Sequence, residues 1–174
     1  MSFRFCPQCA APLTEQYLEG QARLRCTQAA CQYVHWDNPT PVVAAVVEHE
    51  GDVILARNKA WPVPFYALIT GFLEKSDPSP EAAIAREVQE ELGLVASGVH
   101  FIGHYRFERQ NQIILAYHVP ATGVITLGEE LSEYKRIAPE KARYWPVATG
   151  LALRDWLRSR GFDPQAMELP AKPN

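Results

Sequence analysis

The sequence predicts an α/β fold of the mixed-sheet, α+β kind, with helices packed on a sheet and a small cysteine-bearing module in front. Three observations predict it. After residue 40 the hydrophobic patterns run β-β-β-α-β-β-β-α, an order that suits helices laid on a mixed sheet. All four cysteines fall within the first 31 of 174 residues. Between these regions, Asn38-Pro39-Thr40-Pro41 interrupts both helix and central strand. The expected boundaries are therefore a module at 1–38, a main domain at 39–162 and a frayed, proline-bearing tail at 163–174.

Composition narrows the function classes. The chain carries 17 Lys+Arg against 20 Asp+Glu, is 47% hydrophobic and 21% charged, and so reads as a folded globular protein. Its longest apolar run, residues 42–47, is far too short to cross a bilayer. The first six residues, Met1-Ser2-Phe3-Arg4-Phe5-Cys6, contain no apolar signal core, so a cytoplasmic protein without membrane partners is expected. A net charge of −3 also argues against a nucleic-acid partner, which needs basic surface.

The cysteine module comes first along the chain. Cys6-Pro7-Gln8-Cys9 and Cys26-Thr27-Gln28-Ala29-Ala30-Cys31 are two close pairs separated by 16 residues. Two such pairs, joined by a hairpin, make a tetrahedral S4 site that suits structural Zn2+. Paired disulfides would need an oxidising compartment, and a catalytic dithiol leaves the second pair unexplained. Residues 1–38 hold Arg4, Arg23 and Arg25 against Glu15, Glu19 and Asp37, so the module lacks the basic stripe that phosphate binding requires.

In the main domain, residues 42–50 and 53–57 are strands about a Gly51-Asp52 turn. Residues 61–64 form a proline loop and 65–73 a third apolar strand. The clearest helix follows: Ser79 is an N-cap, Pro80 suits the first helical position, and Gly93 is the stop. Ile84, Val88 and Leu92 give its apolar stripe. Residues 99–107 and 112–119 read as a hairpin closed by Arg109-Gln110-Asn111. Residues 131–137 form a strand, 142–145 a short extended segment, and 149–160 an amphipathic helix with Leu151, Leu153, Trp156 and Leu157.

On the first helix, Glu87, Glu90 and Glu91 fall within a fan roughly 100° wide, beside the apolar stripe. Carboxylates so placed repel one another, and a divalent cation is the natural compensation. Arg86, four residues before Glu90, can pair with it. A merely solvated acidic face is the other reading of such a run.

Gly71 followed by Arg86-Glu87-Val88-Gln89-Glu90-Glu91-Leu92-Gly93-Leu94 resembles the Nudix box, G-x5-E-x7-R-E-U-x-E-E-x-G-U, where U is a bulky aliphatic. The resemblance implies a Nudix-type α/β/α sandwich and a hydrolase that cleaves a nucleoside diphosphate linked to another moiety. It implies Mg2+ or Mn2+ on Glu87, Glu90 and Glu91, with the Thr70 carbonyl as a further ligand and Arg86 as orienting partner. One position departs from the pattern. Asp77 stands where the family has Glu, and eight residues rather than seven separate it from Arg86. That leaves open whether Asp77 takes over the glutamate's supporting role.

Downstream, Glu129, Glu130 and Glu133 cluster before a strand, and Glu133 is the preferred general base; an exposed acidic loop is the alternative. Phe65, Tyr66 and Tyr105 are candidates for stacking a base, with Arg106 for phosphate. Trp61, Phe107 and Arg109 are further options. The cysteine module before a Nudix domain looks like the arrangement of NADH and FAD pyrophosphatase-like members. The Ser-Gln-Pro-Trp motif of the NADH-specific group is missing, the corresponding region reading Gly103-His104-Tyr105-Arg106-Phe107-Glu108. A small-molecule nucleotide such as NADH, FAD or ADP-ribose is the expected substrate. The resemblance also raises a homodimer. The rival reading is a non-catalytic Nudix-fold nucleotide sensor whose ribbon binds a partner or nucleic acid.

Overall fold

The structure, a computed structural model, describes residues 3–169. Between Pro39 and Thr40 the chain divides into two compact units. In the first, strands β1 (Leu13–Leu18) and β2 (Gln21–Cys26) form an antiparallel hairpin with Leu13 opposite Cys26. Glu19 and Gly20 close it, both at positive φ (50° and 81°), as the twist of a two-residue hairpin requires. A short β3 (Val34–His35) pairs with β2. Cys6 and Cys26 are the buried hydrophobic residues of this unit among the described residues, so it has almost no apolar core of its own.

The second unit contains strands β4 (Thr40–His49), β5 (Asp52–Asn58) and β6 (Ile69–Phe72), then helix α1 (Pro80–Leu92). Strands β7 (Val95–Ala96), β8 (His100–Phe107), β9 (Gln112–Thr122) and β10 (Leu131–Ile137) follow, and helix α2 (Thr149–Ser159) comes last. The sheet order is β10-β5-β4-β9-β7, with β6 added on β4 and β8 on β9. Strands β4 and β9 run parallel; the other pairs are antiparallel.

Residues 42–47 read as one unbroken apolar run because β4 is covered on both faces. Val42, Ala44 and Val46 pack with Leu153, Trp156 and Leu157 of α2. Val43, Ala45 and Val47 pack with Ile84, Val88 and Leu92 of α1. The result is an α/β/α sandwich.

Three local expectations need correction. Pro41 lies inside β4, and it fits because at that position β4 pairs only with β9, its pairing with β6 starting at Val42. Of the strand expected at 65–73, only Ile69–Phe72 forms; Ala67 makes an isolated bridge to Ala56 after the proline loop. In the extended segment at 142–145, Tyr144 makes one bridge to Ala166. That bridge anchors the segment expected to fray. Tyr144 N–H donates to the Gln165 carbonyl (3.1 Å), Met167 N–H donates to the Tyr144 carbonyl (2.8 Å), and Pro164 is buried. The rest of that tail, 170–174, lies outside the described residues. No helix among the described residues is long and apolar enough to cross a membrane.

Ile84 is fully buried between α1 and the sheet. Ile84→Ala should cost about 2–5 kcal/mol through the cavity it leaves, read as a lower urea midpoint with an unchanged slope.

Candidate active site

Local sequence builds α1 from cap to cap. The Ser79 hydroxyl accepts from Ala82 N–H (3.2 Å), Pro80 opens the helix, and Gly93 ends it at φ 68° in the left-handed region. Burial of Ile84, Val88 and Leu92 sets the helix's rotation, and so turns Arg86, Glu87, Glu90 and Glu91 toward a cleft of about 1000 Å³. The last turn contains no basic residue, so Glu90 and Glu91 sit unfavourably near the negative end of the helix dipole.

Arg86 answers part of that charge. Its Nη1 donates to Glu87 Oε1 (2.8 Å) and to Glu90 Oε2 (2.9 Å). Its Nε and Nη2 donate to the two oxygens of Asp77, both at 3.1 Å, a bidentate pair. Asp77 thus reaches the arginine despite the shorter side chain and the extra residue. The loop closes on itself to place it, with Glu74 N–H donating to Asp77 Oδ2 (2.8 Å) and Asp77 N–H to the Glu74 carbonyl (3.1 Å). The Arg86 guanidinium, and then the Glu74 N–H, hold the Asp77 carboxyl below the usual carboxylate range.

Gly71 is required by contact. A Cβ there would lie 1.9 Å from Glu87 Cδ, so the β6 backbone is the surface on which the Glu87 side chain rests. Gly128 does the same for the following loop, where a Cβ would lie 2.4 Å from the Glu90 carbonyl oxygen. This closeness lets Gly128 N–H donate to the Glu91 carbonyl (2.9 Å) and Thr126 N–H to that of Leu92 (2.8 Å), filling acceptors that the helix end leaves open.

The docked loop brings Glu130 to the cleft, where Asn58 Nδ2 donates to its Oε2 (3.3 Å). Burial, and then the charges of Glu130, Glu87 and Glu90, raise the Glu91 carboxyl; burial also raises Glu87, against the pull of Arg86. Glu91 Oε2 is buried with no hydrogen-bond partner among the described residues. An acceptor left in that state, beside like charges, is the chemistry of a hard cation's ligand. Thr70 lines the cleft beside Gly71.

Other expected residues part company. Glu133 lies outside the cleft lining: Arg57 Nη1 donates to it (2.7 Å), and Tyr66 and then Arg57 hold its carboxyl low, which suits an ion-paired anion better than a base. Glu130 occupies the place expected of it. Tyr66 also lies outside the lining, its ring under Lys135 Nζ at 3.9 Å. The Tyr105 hydroxyl donates to Asp155 on α2 (2.9 Å) and its ring packs into the core, so it offers no stacking face in the cleft. Phe65 and Arg106 do line the cleft. Phe65 meets Trp145 edge-on (5.2 Å) and Trp61 at 6.0 Å, forming an aromatic wall. Trp145 was not legible as a site residue, since a buried Trp near a helix reads as core.

In the first unit, Cys6, Cys9, Cys26 and Cys31 gather with their donor atoms within 4.8 Å of one another. The Cys6–Cys31 and Cys9–Cys26 sulfur separations are 3.7 and 3.4 Å. The edge of a ZnS4 tetrahedron with Zn–S of about 2.3 Å is about 3.8 Å, so the set fits such an ion. Gln8 and Gln28 N–H groups each donate to a sulfur (3.4 Å), the support metal-bound thiolates usually receive.

A NUDIX domain family model matches residues 38–158. The NAD-capped RNA hydrolase NudC of Vibrio atlanticus (strain LGP32) is 28% identical over 132 residues, which cover 76% of this chain and 47% of that protein. That of Mycobacterium tuberculosis (strain ATCC 25177 / H37Ra) is 33% identical over 122 residues, 67% of this chain and 36% of its own. The chain thus spans half or less of the length of these curated relatives. Among solved structures, a NUDIX hydrolase from Nitrosomonas europaea matches with TM-score 0.76 and 21% identity over 95% of this chain and 97% of that one. The NUDIX domain of Shewanella oneidensis NrtR complexed with ADP ribose matches with TM-score 0.56 and 19% identity over 70% and 88%. At these identities the structural matches speak for the fold.

The Asp77–Arg86 pair sets a pH dependence. A carboxyl held low contributes stability that is present above its unfolded value and lost as pH falls through the folded one. Asp77→Asn should therefore lower the thermal midpoint at neutral pH, and the gap between the two proteins should close only as pH falls below the ordinary carboxylate range, as melts across acid pH would read.

Proposed function

The chain belongs to the NUDIX domain family, and from that membership we propose that it is a divalent-cation-dependent pyrophosphohydrolase of nucleoside diphosphates linked to another moiety. The observation that carries the proposal is the unpartnered, buried Glu91 Oε2 among the carboxylates of Glu87, Glu90 and Glu130 at one end of the cleft. Glu87, Glu90 and Glu91, with the Thr70 carbonyl, would hold Mg2+ or Mn2+. A cation bound there supplies charge neutralisation at the bridging phosphate oxygens and a more acidic water.

The chain's own groups do the rest. Arg86 stays on Asp77 and keeps Glu87 and Glu90 in register. Glu130, held from β5 by Asn58, accepts the proton of the attacking water. Arg106 meets the substrate's phosphate, and the wall of Trp61, Phe65 and Trp145 receives an aromatic group. A cleft of about 1000 Å³ has room for a whole dinucleotide. Dinucleotide-type substrates such as NADH or FAD, or an ADP-ribose, fit this division. The names of the curated relatives also raise capped RNA, but the uncharged balance of residues 1–38 favours the free dinucleotide. In the first unit the four cysteines would hold structural Zn2+.

Glu91→Gln should lower Mg2+-dependent release of mononucleotide from NADH, FAD or ADP-ribose by roughly two orders of magnitude or more while the fold survives. Unchanged turnover would refute the assignment; nucleotide binding without hydrolysis by the wild-type chain would favour the sensor reading. Metal analysis should find about one zinc per chain, and a strong chelator should unfold residues 1–38, since little apolar burial supports them otherwise.

A further inference from the structure

Segment 123–130, which carries Glu130 to the cleft, lies between two ties to one small turn. That turn, Glu50-Gly51, joins β4 to β5 with both residues at positive φ (51° and 85°). After the segment, Arg136 on β10 clamps the turn. Its Nη1 meets Glu50 (2.8 Å), its Nε donates to Asp52 (3.1 Å) and its Nη2 to the His49 carbonyl (3.2 Å). Before the segment, the His49 ring reaches Gly123, with Nε2 2.9 Å from the Gly123 carbonyl oxygen. A carbonyl only accepts, so Nε2 carries a proton and donates it.

The ring is held there at a cost. His49 is 5% exposed, and its Nδ1 is buried with no hydrogen-bond partner among the described residues. His49 continues the face of β4 on which Val43, Ala45 and Val47 pack toward α1, where an aliphatic side chain would suit packing better. A buried ring with one nitrogen unfilled is kept for the bond that its other nitrogen makes. Gly123 shows the same need from its side. It lies one residue beyond β9 at φ 120°, a conformation other residues rarely adopt, and its carbonyl meets the imidazole in place of a neighbouring strand.

From Gly123 the segment crosses the end of α1. Thr126 and Gly128 bond to the carbonyls of Leu92 and Glu91, and Lys59 N–H donates to the Glu130 carbonyl (2.8 Å). Helix-end carbonyls are acceptors that water can fill. The Gly123 carbonyl is met by a buried ring, so removing the imidazole leaves it unpaired or makes the segment shift.

We propose that His49 is a positioning residue for the reaction. By holding the Gly123 carbonyl it fixes where segment 123–130 starts, and so where the Glu130 carboxylate stands relative to Glu91. His49 lies outside the cleft lining and acts through Glu130 alone. This rests on the hydrolase reading, but one arm of its test needs no turnover.

His49→Leu, His49→Asn and His49→Gln are compared by kinetics on ADP-ribose with Mg2+ and by amide hydrogen exchange. Glutamine can bring a donor near the place of Nε2; asparagine is too short. His49→Leu and His49→Asn should lower kcat about tenfold with KM within about twofold, and His49→Gln should restore most of the loss. Exchange at 124–130 should quicken about tenfold in the leucine and asparagine variants while the middle of α1 stays protected. On the wild-type chain, nitrogen resonances of the His49 ring should show a protonated Nε2. A bare Nε2, an unaltered kcat in an active chain, or exchange that rises evenly across the second unit would overturn the proposal. So would misfolding of all three variants, since His49 would then support the whole unit. A wild-type chain that cleaves no pyrophosphate, with the local exchange as expected, keeps the tether and loses the hydrolase; active protein with unaltered exchange does the reverse.

Discussion

Like-charge repulsion at the end of one helix is the constraint around which the second unit is organised. Glu87, Glu90 and Glu91 share the last two turns of α1, where the helix dipole already disfavours negative charge and no basic residue follows. Glu130 comes up against them from the loop before β10 and adds to the field that raises Glu91. Arg86 is the one resident cation in direct contact with this group among the described residues, and its bonds to Asp77, Glu87 and Glu90 are all short. It leaves Glu91 uncompensated. A helix selected for stability alone would not carry this arrangement, so it reads as a cost accepted for chemistry.

The rest of the unit holds that arrangement still. Covering β4 on both faces fixes the two helices across the sheet, and α1 cannot rotate without exposing Ile84, Val88 and Leu92. Two glycines then let backbone replace side chain where carboxylates must lie close. Gly71 gives Glu87 the β6 backbone to rest on, and Gly128 seats the loop against the end of α1. Neither is needed for a turn at positive φ; both are needed for lack of a Cβ.

The cleft is lined by acidic side chains and by aromatic ones. Strand β6, α1 and the loop before β10 supply the first; the segment entering α2 and the loop after β5 supply the second. On the proposed reading, chemistry at the phosphates and reception of an attached ring fall to different elements of the fold.

How much of this was legible in the sequence depended on the distance over which it is encoded. Helix α1 was readable from Ser79 to Gly93, together with the fan of glutamates and the apolar stripe, because cap chemistry and the 100° step act within a few residues. The cysteine spacing was legible for the same reason, as were strands such as 131–137. Partners far apart in the chain were not. By sequence Glu133 is the better base, but a register shift between Leu131 and Glu133 sets it opposite Arg57, while Glu130 stays at the cleft. By sequence Tyr105 and Tyr66 are stacking candidates, but α2 and β10 claim them, and Trp145 takes the wall instead. Asp77 was in doubt until the loop's own hydrogen bonds showed how a shorter carboxylate with one more residue reaches Arg86. By itself, then, the sequence determined the helix, its acidic fan and the cysteine set, since each is a local periodicity. Which loop acid and which aromatic rings share the cleft was decided only by strand register and helix packing, which sum contacts across the whole chain.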